Sequence, residues 1–201
     1  PERLETVSRV AVMRRVSKGT AIVHAGDPTD FVYLVLTGSL KVLVSDEDGR
    51  EVILTMIGQG EIFGEMGIVD EEPRSATVVA VSSADLVTIS KTDFRRILQD
   101  NFDVSLRMMK NLAHRLRTAD RKIESLALMD VYGRVARLLL DMAHVEGDKN
   151  LVKKKVSKQD IAKMIGASRE MVSRVMKDLQ NRGLIQPTPE GLLLCESIAD
   201  L

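Results

Sequence analysis

At Lys91-Thr92-Asp93 the spacing of apolar residues changes, and the change divides the chain into a β-rich part and a helical part. Before it, short β-branched and apolar runs alternate with glycine-bearing turns, at 20–23, 31–36, 40–44, 51–57, 76–81 and 85–89. Runs of this length and composition predict strands. The Asp48-Gly49 pair between two of them predicts a hairpin. Many short strands at near-regular spacing suit an antiparallel roll or sandwich. Beyond the change, residues 102–129 contain neither proline nor glycine. Leu106, Met109, Ala113, Leu116, Asp120, Ile123 and Ala127 fall there on alternating three- and four-residue steps, the seam of a coiled coil. Pairing with a second copy is the expectation; packing against the chain's own β part is the alternative. A shorter helix is expected over 131–144, with Val135, Leu138, Leu139 and Met142 on one face, then a polar connection over 145–155.

The most informative stretch is 157–181. Ser157 is a good N-cap, with Asp160 three residues on. Ile161, Ala162 and Ile165 form an apolar stripe, and Gly166 permits a tight turn. Ser168 suits the cap of a second helix whose inner face carries Val172, Val175, Met176 and Leu179. Residues 183–194 then read as a hairpin wing. Two short capped helices around one glycine, followed by a wing, are a winged helix-turn-helix, a double-stranded DNA reader. The outward face of the second helix carries Arg169, Glu170, Ser173, Arg174 and Lys177. Arginine offers guanine a bidentate fork and glutamate accepts from cytosine. A solvated helix with Glu170–Arg174 pairing is the competing reading.

Over the chain 29 basic and 29 acidic residues cancel, but the cancellation is not uniform. Between residues 146 and 182 ten basic residues face five acidic ones, a footprint suited to phosphates. The lone cysteine, Cys195, excludes an intramolecular disulfide, a thiolate zinc site and a four-cysteine iron–sulfur cluster. Its place in the run Leu192-Leu193-Leu194-Cys195 predicts a buried small hydrophobe. His24, His114 and His144 are scattered, so neither a metal site nor a haem is expected. No apolar run approaches a membrane span, no secretory signal is seen in a sequence that begins at Pro1, and a cytoplasmic location is expected. No serine–histidine–aspartate set or Walker loop is present, so no catalytic residue is assigned and an enzyme is not expected.

In the β part the run Gly60-Glu-Ile-Phe-Gly64-Glu65-Met66-Gly67, followed by Pro73-Arg74-Ser75, is unusual. Glycines let backbone N–H groups approach an anion, and Arg74 and Ser75 would add a cation and a hydroxyl. By composition alone this is a weak signal, and a plain turn with a surface arginine is the preferred reading.

The stretch Ala167-Ser168-Arg169-Glu170-Met171-Val172-Ser173-Arg174 resembles the cyclic-AMP receptor protein and fumarate–nitrate regulator family of bacterial transcription regulators. The cassette at 60–77 is similar to the phosphate-binding cassette of that family, and the likeness covers nearly the whole chain. The resemblance implies an α+β fold. Its parts would be an N-terminal antiparallel β-roll of cyclic-nucleotide-binding type over 1–100, a long dimerisation helix over 101–130 and a C-terminal winged helix-turn-helix over 131–201. It implies a homodimer that binds a TGTGA-like palindrome under allosteric control by cyclic AMP, with RNA polymerase as a further partner. Arg169, Glu170 and Arg174 would read bases. Ser157, Lys158, Gln159 and Ser168 would meet the backbone, with Ser173 and Lys177 beside them. Gly64, Glu65, Met66, Arg74 and Ser75 would hold the nucleotide, with Glu65 on the ribose hydroxyl and Arg74 and Ser75 on the phosphate. Arg115, on the long helix, would brace Glu65.

The chain departs from the family where two hydroxyl side chains of the long helix meet adenine. Aligned through Arg115-Leu116, those positions are Ala119 and Asp120. Facing carboxylates on a dimer seam repel. A base with N–H donors would relieve this, and screening by Arg117 or Arg121 is the alternative. The same DNA reader with cyclic GMP, cyclic di-GMP or no effector therefore stays open, as does, further off, a nucleotide-binding module of a kinase or channel.

Overall fold

The computed structural model describes residues 11–146, 149–153, 156–195 and 198. Pro1, Asp148, Lys154 and Lys155, which entered the reading above, lie outside them, as do the side chains of Glu146 and Lys149. Contacts divide the chain into two compact units, Pro1–Ala113 and His114–Leu201.

Among the described residues of the first unit, eight strands form two antiparallel sheets. They are β1 (Val12–Val16), β2 (Ala21–Val23), β3 (Phe31–Thr37), β4 (Leu40–Ser45), β5 (Glu51–Ile57), β6 (Ile62–Phe63), β7 (Thr77–Ala80) and β8 (Ala84–Ser90). The sheet orders are β1-β8-β3-β6 and β2-β7-β4-β5. Alternate residues point inward, so Val35, Leu40, Ile57, Val78 and Leu86 meet in one buried core. The expected β4–β5 hairpin is present, and Gly49 supplies its left-handed residue at φ 75°. Strands β1 and β6 were not expected. β6 is only two residues long, too short to show a period, and β1 has just one buried residue.

Helix α1 (Met66–Val69) interrupts the strands, and α2 (Lys91–Asp100) follows β8. Ser90 caps α2 by accepting from the Asp93 amide. A second apolar cluster of Val32, Ile68, Phe94 and Met108 joins α1, α2 and the start of α3 (Phe102–Leu128) to β3.

The second unit contains α4 (Val131–Met142), β9 (His144–Glu146), β10 (Lys149–Val152), α5 (Lys158–Ile165), α6 (Arg169–Asn181), β11 (Ile185–Thr188) and β12 (Gly191–Leu194). The four strands form one antiparallel sheet in the order β11-β12-β10-β9. This corrects the polar connection expected over 145–155. Leu151 and Val152 are buried, and β10 pairs with the wing strand β12. Two apolar residues among lysines do not reveal a strand until a partner strand is beside them. The α4 helix also stops at Met142, because Ala143 turns to extended backbone. Cys195 is half-buried, not buried as expected; its thiol donates to the Gly183 carbonyl at 3.0 Å.

Candidate functional site

The β6–α1 turn and the approach to β7 meet at Arg74. Backbone bonds from Gly26 N to Arg74 O (2.8 Å) and from Arg74 N to Asp27 O (2.9 Å) tie it to the loop after β2. The guanidinium then turns inward. It donates through Nη1 to Gly64 O (2.8 Å) and through Nη2 to Phe31 O (2.5 Å), and lies 5.7 Å from the centroid of the Tyr33 ring. Tyr33 is stacked on Phe63, with centroids 4.8 Å apart. A Cβ at Gly64, whose φ is 79°, would overlap the guanidinium, which is why this position takes glycine. Arg74 is only 7% exposed, and its buried Nε has no hydrogen-bond partner among the described residues. Burial lowers its pKa from the ordinary guanidinium value, and Tyr33, Asp30, Asp27 and Glu65 partly oppose the shift.

Glu65 stands at the start of α1 and is 2% exposed. Ser75 is exposed, and its hydroxyl has no protein partner among the described residues. A buried cation with a spare donor, a small-residue turn and an open hydroxyl fit an anionic ligand's phosphate. Gly64, Glu65, Arg74 and Ser75 are thus brought together, with Met66 exposed on the outer side of α1. Phe31, Tyr33 and Phe63 were missed by sequence reasoning. Phe31 contributes a carbonyl, which no side-chain pattern signals.

Arg115, Ala119 and Asp120 lie on α3 within the second unit; Arg115 is half-buried and the other two are exposed. Arg121 donates to Arg117 O and to the Thr118 hydroxyl, and neither Arg117 nor Arg121 forms an ion pair with Asp120 among the described residues. Along α3 the apolar residues Met109, Leu116 and Ile123 are exposed at 52%, 65% and 65%, so these three seam positions are left uncovered among the described residues.

In the second unit the two capped helices are as the sequence implies. Ser157 accepts from the Asp160 amide (3.0 Å), Gly166 adopts φ 63° and ψ 47°, and Ser168 accepts from the Met171 amide (3.1 Å). Ala162, 2% exposed, lets α5 and α6 approach, and Ile161, Ile165, Val172 and Leu179 pack on Val135 and Leu139 of α4. Val175 and Met176 are half-buried at the edge of that core. Arg134 donates to the Ile165 carbonyl at 2.9 Å and so closes the end of α5. A second tie was not foreseen. The Tyr132 hydroxyl donates to Asp178 (3.0 Å) and accepts from Arg182 (2.8 Å), joining α4 to the far end of α6.

On the free side of α6, Arg169, Glu170, Arg174 and Lys177 are exposed and Ser173 is half-buried. None of the four charged groups has a hydrogen-bond or ion-pair partner among the described residues, so the Glu170–Arg174 pair weighed from the sequence is not formed. Lys158 and Gln159 open α5 and are exposed.

The cyclic nucleotide-binding domain model matches residues 13–101, and the Crp-like helix-turn-helix domain model matches residues 133–196. The cAMP-activated global transcriptional regulator CRP of Pasteurella multocida is 38% identical over 187 residues, covering 89% of this chain and 87% of that protein. The chain belongs to the cyclic-AMP receptor protein family. As a member of that family it is a DNA-binding transcription regulator carrying a cyclic-nucleotide-binding domain, and not an enzyme. A further family member, the cAMP-activated global transcriptional regulator Vfr of Pseudomonas aeruginosa, is 37% identical over 183 residues, covering 86% of this chain and 84% of that protein. Among solved structures, the c-di-GMP responsive global regulator CLP of Xanthomonas campestris has a TM-score of 0.76 at 29% identity, covering 96% of this chain and 98% of that one. FixK2 of Bradyrhizobium japonicum shares the fold at a TM-score of 0.82 and 22% identity, covering 95% of each chain. Among the described residues no helix is long and apolar enough to cross a membrane.

Proposed function

We propose that two copies of this regulator pair along α3 and read a TGTGA-like palindrome when a cyclic nucleotide, cyclic AMP first, occupies the Arg74 cassette. The functional parts are then the effector domain (1–100), the pairing helix (101–130) and the DNA reader (131–201). The observation that carries the effector reading is the buried Arg74, with a donor left over beside Gly64 and Glu65. Cyclic AMP is favoured because curated relatives at 35–38% identity are named as cAMP-activated. The c-di-GMP responsive neighbour supports a second reading with that effector, and Ala119 and Asp120 at the family's adenine positions leave room for it.

Pairing along the exposed α3 seam sets the two α6 helices for successive major grooves about 34 Å apart. Ligand favours the DNA-competent arrangement only by binding it more tightly. Arg169, Glu170 and Arg174 read bases, while Ser157, Lys158, Gln159, Ser168 and Lys177 approach phosphates. RNA polymerase is the further partner this reading entails, and the cytoplasm its place.

Calorimetry with cyclic AMP, cyclic GMP and cyclic di-GMP tests the effector, with a mobility shift on a TGTGA-type duplex in parallel. Saturable binding by one of them, with tighter DNA binding in its presence, is expected. Heat from none would remove nucleotide control, and sedimentation as a monomer would remove the pairing. On cognate DNA, Arg174→Ala should cost roughly 1–3 kcal/mol. An equal loss on scrambled DNA would make Arg174 a phosphate contact instead.

A further inference from the structure

The segment from Gly64 to Arg74 is held at three places. Arg74 grips Gly64 O and Phe31 O. Thr29, itself buried, donates to Glu72 O at 3.1 Å, and a Cβ on Gly67 would overlap both of those groups. The third hold comes from α2. Arg95 Nη2 donates to the carbonyl of Ile68 (3.1 Å) and to the carboxylate of Glu71 (2.5 Å).

Glu71 is the one non-glycine residue with a left-handed backbone among the described residues, at φ 66°. A Cβ disfavours that region, and such strain persists where surrounding contacts over-determine it. Here the contact is Arg95. Its hydrogen bond and charge, with a smaller contribution from Lys91, hold the Glu71 carboxyl below the usual carboxylate range. The turn at Glu71 closes α1, and α1 is tied to Glu65, whose carbonyl accepts from Ile68 N (3.0 Å) and Val69 N (3.1 Å). The orientation of α1 therefore sets the backbone from which Glu65 projects.

We propose that Arg95 is a positioning residue for the cassette. By holding the Ile68 carbonyl and the Glu71 carboxylate together, it keeps the left-handed turn closed and Glu65 in its ligand-binding place. This rests on the reading of the cassette as a cyclic-nucleotide site. Arg95 touches no ligand in this role, so the prediction is one of sign as well as size. A long-range charge effect on an anion would make Arg95→Gln weaken binding and Glu71→Gln strengthen it. A clamp makes both weaken it, because either change opens the same turn.

The test is calorimetry of the full chain with cyclic AMP, cyclic GMP and cyclic di-GMP, and amide exchange over residues 65–73 without nucleotide. Arg95→Gln and Glu71→Gln should each weaken binding about threefold to tenfold and speed exchange at Ile68 to Glu71. Adding Glu71→Gly to Arg95→Gln should restore most of the affinity, since glycine takes the left-handed turn without a clamp. Opposite signs for the two glutamine variants, unchanged exchange, or no rescue by glycine would overturn the proposal alone. If the unaltered chain bound none of the nucleotides, the cassette reading and this inference would fall together.

Discussion

Arg74→Leu is expected to weaken cyclic-nucleotide binding by about two orders of magnitude or more, because it removes the buried cation and its spare charge-assisted donor for the phosphate. The free protein already carries the cost of burying this cation, as its lowered pKa reports. An incoming phosphate offsets, with an opposite charge, the hydration that burial removed from the guanidinium. Arg74→Lys should fail nearly as badly. A lysine keeps the charge, but it lacks the planar fork that reaches Gly64 O and Phe31 O together and rests on the Tyr33 ring. Calorimetric titration checks both variants, with binding to DNA at low salt as the control that the second unit is intact. Affinity for the nucleotide equal to that of the unaltered chain would show that the phosphate sits elsewhere.

Leu179→Ala is expected to destabilise the second unit by roughly 3–5 kcal/mol. Leu179 is fully buried on α6, in the core that also takes Val172, Ile161 and Leu139. An exposed base reader and this leucine share one helix, so losing the leucine should remove DNA binding without touching any DNA contact. Differential scanning calorimetry should move one unfolding transition down and leave the other in place, and nucleotide affinity should persist. Arg174→Ala should do the reverse, with unchanged melting and weakened cognate binding. If Leu179→Ala left both melting and DNA affinity unchanged, the assignment of α6 to this core would be wrong.

What was legible in the sequence was the local part. Ser157, Gly166 and Ser168 announced both helices of the DNA reader because a cap or a left-handed turn is decided by a residue and its neighbours within four positions. The α3 helix was legible for the same reason, as an unbroken seam without proline or glycine. Most strands of the first unit were visible in their alternation. β10 was not, since Leu151 and Val152 are too few apolar residues to show an alternation, and one of the two strands they pair with, β12, lies some 40 positions along the chain.

The cassette shows the same division at higher resolution. Gly64, Glu65, Arg74 and Ser75 could be nominated from residue type and family likeness. Their arrangement could not. Arg74 is oriented by the carbonyl of Phe31, 43 positions away, and by an aromatic stack from two other strands. Arg95 reaches Glu71 across 24 positions, and Tyr132 meets Asp178 and Arg182 across 46 and 50. The sequence by itself determined the period change at Lys91, the capped helix pair and the kinds of side chain available to a ligand and to DNA. Tertiary structure alone decided which carbonyls, rings and opposite charges those side chains meet. Periodicity and capping are set by bonds a turn apart, whereas the strand pairings and helix contacts that bring distant groups together leave no mark on either neighbourhood.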